Sequence, residues 1–180
     1  MLFTDLVVHY SALNALQSGI RDPDRKMRQL DKTDRKILDL LQLDGRMTMT
    51  ELADKVGLST TPVAERVKRL EREKVITGYH ARIDPHALGF NLLVFVEIRL
   101  ASKSGELFDE VKRALAWMPE VMECHLVSGD YDYLIKARIT EMADYRRLLG
   151  HVLNRLPAAA ESRSYVVMEE VKETLYLPTL

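Results

Sequence analysis

The chain changes its hydrophobic period once, near Asp84-Pro85, and this constrains the fold more than any other feature. Upstream, Ile37, Leu38 and Leu41, then Leu52 and Val56, then Val63, Val67 and Leu70 recur at three- and four-residue spacing, the mark of three short amphipathic helices. Downstream, Leu92, Val94, Val96, Ile98 and Leu100 take every second position, which describes a half-buried strand. One chain of 180 residues therefore holds a helical part and a sheet part, with room for both as small domains.

The helical part carries its own punctuation. Asp31 is placed to cap the first helix, which ends near Asp44-Gly45. Thr48 and Glu51 stand at capping-box spacing and open the second, which Gly57 stops. Ser59 caps the third, with Thr60, Thr61 and Pro62 in its first turn, where a missing N–H does no harm; it runs to about Glu73. Val75 to Tyr79 then reads as a strand or short wing.

In the sheet part a helix capped by Ser104 carries Phe108, Val111, Leu115 and Met118 and stops at Pro119. Val121 to Val127 and Tyr131 to Ile139 are strands joined through Ser128-Gly129-Asp130. A second helix from Met142 carries Leu148, Leu149, Val152 and Leu156 and stops at Pro157, and Ser164 to Val171 is the last strand. The order strand, helix, strand, strand, helix, strand predicts an α+β fold: an antiparallel sheet with both helices on one face. Several residues of the uncovered face look apolar, so self-association by sheet packing is expected. The expected organisation is an arm or misassigned start at 1–29, a helical domain at 30–82, a linker at 83–90, a sheet domain at 91–175 and a tail at 176–180. The first stretch lacks a leading basic residue and is too polar for a signal peptide or membrane span, and Met27 is an alternative start.

Charge sharpens the division. The whole chain has net charge −1, which argues against a nucleic-acid partner. That neutrality is a cancellation. Residues 83–180 hold 11 basic against 15 acidic side chains, whereas residues 59–82 hold 6 basic (Arg66, Lys68, Arg69, Arg72, Lys74, Arg82) against 3 acidic. Two short helices joined through Val56-Gly57-Leu58-Ser59, the second opening on hydroxyls and continuing as a basic shaft, have the form of a helix-turn-helix. Ser59, Thr60 and Thr61 are then placed for base edges or phosphates, Arg66 for a guanine edge, and Lys68, Arg69 and Arg72 for phosphate, with Glu65 on the same helix. By residue type alone the helix also fits a solvated face with a Glu65–Arg69 pair.

Catalytic readings find little support. A single cysteine, Cys124, excludes an internal disulfide and suits a reducing cytoplasm, and it reads as a small core residue. His125 has no second His or Cys at ligand spacing, so no metal is expected, and no Gly-rich phosphate loop occurs. Trp117 reads as core or interface packing.

The runs Leu30 to Leu38, Val56 to Glu71, Ile76 to Tyr79, Leu93 to Glu97, Glu123 to Leu134 and Tyr165 to Glu170 resemble the leucine-responsive regulatory protein (Lrp/AsnC) family of transcription regulators, its Lrp branch in particular. The resemblance implies a winged helix-turn-helix domain followed by a βαββαβ ferredoxin-like effector (RAM) domain. It implies double-stranded DNA as partner, an amino acid as effector and no other cofactor, a cytoplasmic, nucleoid-associated location, and dimers assembling into octamers or other even-numbered forms. It places the effector between neighbouring subunits, around Ser128, Gly129, Asp130, Tyr131 and Asp132, with Met142, Tyr165, Val166 and Val167 as walls. Asp130 and Asp132 then suit the ligand's ammonium, the N–H groups around Gly129 its carboxylate, and Met142 with Val166 its side chain. By spacing alone Gly129-Asp130 also reads as a plain hairpin turn. Leucine, another branched-chain amino acid, or proline is the implied effector class, and an amino-acid sensor acting on a protein partner is the alternative function.

Overall fold

The computed structural model describes residues 29–179 apart from Trp117, Pro119, Pro157 and Ala158. The expected arm at 1–29, save Gln29, the packing role of Trp117 and the two proline stops lie outside the described residues. The described residues divide into two units: residues 83–170 form one, and residues 29–82 together with 171–179 form the other.

The second unit is helical. Helix α1 spans Lys32–Leu43, α2 Met49–Val56 and α3 Thr60–Arg72. Both expected caps of α1 and α2 are made: Asp31 and Asp34, then Thr48 and Glu51, exchange side-chain and backbone bonds in reciprocal capping boxes. Gly57 closes α2 in the left-handed conformation at φ 75°. Ile37, Leu41, Leu52, Ala53, Val63, Val67 and Leu70 meet in one core. The wing expected at Val75 to Tyr79 is not a strand. Lys74, at φ 54°, turns the chain out of α3, and the Val75 and Ile76 amides donate back to the Leu70 carbonyl. A lone extended segment has no ladder to join.

The other unit begins with a short 3-10 turn at His86–Leu88 inside the expected linker. Strand β1 spans Leu92–Leu100, α4 Gly105–Ala116, β2 Val121–Leu126, β3 Tyr133–Ile139, α5 Met142–Arg155 and β4 Ala159–Val166. The sheet order is β2-β3-β1-β4, antiparallel throughout. Alternate residues Val94, Val96, Ile98 and Leu100 of β1 and Tyr133, Ile135, Ala137 and Ile139 of β3 pack on Val111, Leu115, Met118, Leu148, Val152 and Leu156 of the helix layer. This is the expected α+β ferredoxin-like arrangement.

Three expectations change. The last strand begins at Ala159 and ends at Val166 instead of running from Ser164 to Val171. Its early half pairs Glu161 with Arg99 and Arg163 with Glu97, while Ser162 and Ser164 lie opposite Ile98 and Val96. The uncovered sheet face is more polar than expected. Register aligns His125, Leu134, Glu97 and Arg163 in one cross-sheet row and Glu123, Lys136, Phe95 and Tyr165 in the next. Cys124 is exposed on an edge strand and not in the core, and desolvation there pushes its thiol up to about 11.

Candidate functional site

Helix α3 has two working faces. Val63, Val67 and Leu70 are buried, and on the far side Thr61, Glu65, Lys68 and Arg72 form an exposed stripe at helical spacing. Ser59 and Thr60 continue it past the helix start, both exposed. Ser59 has the extended backbone of an N-cap, yet its hydroxyl makes no cap bond, and no acidic residue sits in the first turn. The positive end of the α3 dipole is therefore not offset locally, an arrangement suited to a phosphate.

Arg66 and Arg69 leave this stripe. The Arg66 Nη1 atom lies 2.6 Å from Asp31 Oδ2 and 2.7 Å from Asp34 Oδ1, and Arg69 Nη2 lies 2.6 Å from the same Asp34 oxygen. Asp34 is buried. Its backbone N–H, with Arg66, holds the Asp31 carboxyl below its ordinary range, and hydrogen bonds to Asp31 and Asp34 push the Arg66 guanidinium up. Both guanidinium groups, expected at a guanine edge and at phosphate, here brace α1 against α3. Helix phase accounts for it, since at about 100° per residue Arg66 lies roughly 140° around the helix from Thr61. Sequence reasoning gave Asp34 no role and missed both its cap and this acceptor function.

In the sheet unit, Ser128, Gly129 and Asp130 form an exposed turn, with Gly129 at φ 136°. A Cβ there would meet nothing, so backbone conformation alone calls for glycine. Asp132 sits behind the turn and is buried. Its Oδ2 accepts the Leu100 N–H at 2.9 Å, and its Oδ1 lies 2.7 Å from Lys103 Nζ. Its backbone N–H donates to Ile98 and its carbonyl accepts from Val127. Burial raises the Asp132 carboxyl, but the Leu100 bond and Lys103 outweigh it and hold the group below its ordinary range. Both oxygens of Asp132, expected to accept an ammonium, are engaged within the chain by the Leu100 N–H and Lys103. Asp130 keeps its carboxylate exposed and accepts Arg99 Nε on its backbone carbonyl at 2.8 Å.

Tyr131 packs between two guanidinium groups, with Arg99 and Arg163 5.2 and 5.3 Å from its ring centre, and its hydroxyl donates to Glu161. The remaining expected wall residues do not gather there. Tyr165, opposite Phe95, faces the uncovered side and donates to Glu97, while Val166, opposite Val94, faces the helix side. Successive strand residues point to opposite faces. Val167 continues past β4, its amide donating to Leu93. Met142 is exposed at the start of α5, beyond the far end of β3 from the turn. The seven residues of β3 separate those ends by about 20 Å at about 3.4 Å per residue. Within one chain the expected effector residues therefore fall into two separate groups.

Comparison with known proteins bears on both units. Residues 93–177 match the family model described as Lrp/AsnC ligand binding domain, and residues 30–77 match one described as winged helix-turn-helix DNA-binding. The chain is 51% identical over 150 residues to the leucine-responsive regulatory protein of Escherichia coli K12, covering 83% of this chain and 92% of that protein. Among solved structures, it resembles a Neisseria meningitidis transcriptional regulator in complex with L-Met, with TM-score 0.78, 32% identity and coverage of 83% and 97% of the two chains. It also resembles an AsnC-family transcriptional regulator of Agrobacterium tumefaciens, with TM-score 0.79, 36% identity and the same coverage.

Proposed function

The chain belongs to the Lrp/AsnC family of transcription regulators, and from that premise we propose how its residues divide the work. It is a DNA-binding regulator of amino-acid metabolism that responds to a small amino acid, and not an enzyme. Helix α3 enters the major groove of an operator. Ser59, Thr60 and Thr61 meet base edges or phosphates, Lys68 and Arg72 meet phosphates, and Glu65 is placed to accept from a cytosine amino group. The observation that carries this reading is the exposed Thr61–Glu65–Lys68–Arg72 stripe, held outward while Arg66 and Arg69 lock the opposite flank.

The effector binds between subunits. One copy contributes the Ser128 to Tyr131 turn, with backbone N–H groups for the carboxylate and Asp130 for the ammonium. A neighbouring copy contributes the Met142 and Val166–Val167 end, which supplies an apolar wall for a side chain such as that of leucine, methionine or proline. The separation of the two half-sites within one chain supports this division. The protein works as dimers that assemble into an octamer or other even-numbered form on nucleoid DNA. Among the described residues no helix is long and apolar enough to cross a membrane.

Calorimetric titration with the twenty amino acids, followed by gel shifts with those that bind, tests the reading. Specific duplex binding that weakens steeply with salt and shifts with one amino acid is expected. A chain with no duplex affinity, or one indifferent to every amino acid, would falsify it.

A further inference from the structure

The ligand-binding match runs to residue 177, yet the residues from Val171 onward pack with the helical unit. Their contacts are specific. The Gln42 side-chain amide grips the main chain of Leu177 on both sides: Leu177 N–H donates to Gln42 Oε1 at 2.7 Å, and Gln42 Nε2 donates to the Leu177 carbonyl at 2.9 Å. The Tyr176 hydroxyl donates to Asp39 Oδ1 at 2.9 Å and the Thr179 hydroxyl to Asp39 Oδ2 at 2.6 Å, so one carboxylate is filled from two residues of the segment. The bond to Asp39 pushes the Tyr176 phenol up. Glu173 lies beside Arg82 of the same unit.

The chain just before this segment is fixed inside the sheet unit. Arg138, itself buried, holds both Glu170 carboxylate oxygens, at 3.0 and 2.6 Å. Only Val171 and Lys172 stand between Glu170, anchored to the sheet, and Glu173, beside Arg82 at the end of the helical unit. The linker at 83–90 is much longer and carries only one short turn.

We propose that residues 174–179 are a docking segment for the outward face of α1, and that this docking is a short second connection through which effector binding reaches the DNA-binding helices. The second clause rests on the effector reading above. Strand β4, which carries Val166 of the proposed apolar wall, runs straight into Glu170 and the docked segment. Any displacement of β4 on ligand binding is therefore passed along residues 171–175 to Tyr176 on α1, which α3 grips through Asp34.

Three forms of the full-length protein decide the matter: the native sequence, an Asp39→Ala/Gln42→Ala double variant, and a chain stopped after Glu173. Hydrogen exchange of the α1 amides is followed in each. Binding of L-leucine and L-methionine is measured by calorimetry, and operator affinity with and without the amino acid by gel shift. In both altered forms α1 exchange accelerates about tenfold. Amino-acid affinity stays within about twofold, and the effector-induced change in operator affinity falls at least threefold. Unchanged α1 exchange in both forms overturns the docking, and faster exchange with an intact effector response overturns the second connection. If none of the twenty amino acids binds the native chain, the effector reading fails and the second connection with it, while exchange still decides the docking.

Discussion

Replacing Arg66 with alanine separates the two roles open to a basic side chain on α3. Loss of one partner from a buried ion pair costs about 3–5 kcal/mol when the other charge is stranded. Asp34 is not fully stranded: it keeps Arg69 at 2.6 Å, and the Asp31 N–H at 3.3 Å. Arg66 itself is 26% exposed, which lowers the cost further. A loss of about 1–2 kcal/mol follows. For a unit this small, that lowers the melting temperature by roughly 5–15 °C. Scanning calorimetry measures the shift, and gel shifts at 10 °C, where native and variant chains both remain folded, measure operator affinity, expected within about threefold of native. An unchanged melting temperature together with a large loss of operator affinity would refute the brace and return Arg66 to the DNA surface. Asp34→Ala removes the acceptor shared by both guanidinium groups and costs more, about 3 kcal/mol.

Lys68→Ala removes one phosphate contact from each of two recognition helices, so the slope of log affinity against log salt becomes shallower by about 1.8, and the loss of affinity between 50 and 200 mM salt shrinks about twelvefold; an unaltered slope takes Lys68 off the DNA. Asp132 has its pKa depressed in the fold, so its contribution is complete above the unfolded value near 3.9 and disappears as pH falls through the folded value. Exchange of the Leu100 amide is therefore expected to show no change in protection between pH 5 and 8 and faster opening below pH 4, a loss absent from Asp132→Asn. Gly57→Ala meets no steric obstacle and costs about 1 kcal/mol through backbone conformation alone, while Lys74→Gly relieves a left-handed lysine and gains up to about 1 kcal/mol, both read by urea unfolding.

Elements whose determinants lie within one turn or one alternation were legible in the sequence. Strand β1 matches the run Leu92 to Leu100, and the Asp31 cap and the Thr48–Glu51 capping box stand where the sequence places them. Strand β4 was misplaced because its first half is defined by partners far along the chain: Glu161 and Arg163 look like surface residues until Arg99, Glu97 and Tyr131 are beside them. The same distance hid the fate of Arg66, whose acceptor Asp34 is 32 residues away. Helix phase did carry a signal, since Arg66 sits off the Thr61–Lys68 line. Tyr165 and Val166 were grouped as one wall although strand alternation separates them, and the two-ended layout of the effector residues follows from topology alone.

The turn at Ser128 to Tyr131 is built before any ligand arrives. Asp132 staples it through Leu100, Lys103, Ile98 and Val127, and Arg99 fastens the Asp130 carbonyl. A ligand meeting such a preorganised cradle spends little of its binding free energy on ordering the loop. The main-chain groups it meets there are common to every amino acid, so this half of the proposed site recognises the class. In the proposed site, choice among members of the class falls to Met142 and Val166, which belong to other elements and take no part in the staple. Effector specificity can therefore be rewritten, by selection or by design, through a few wall substitutions that leave the recognition of amino acids intact.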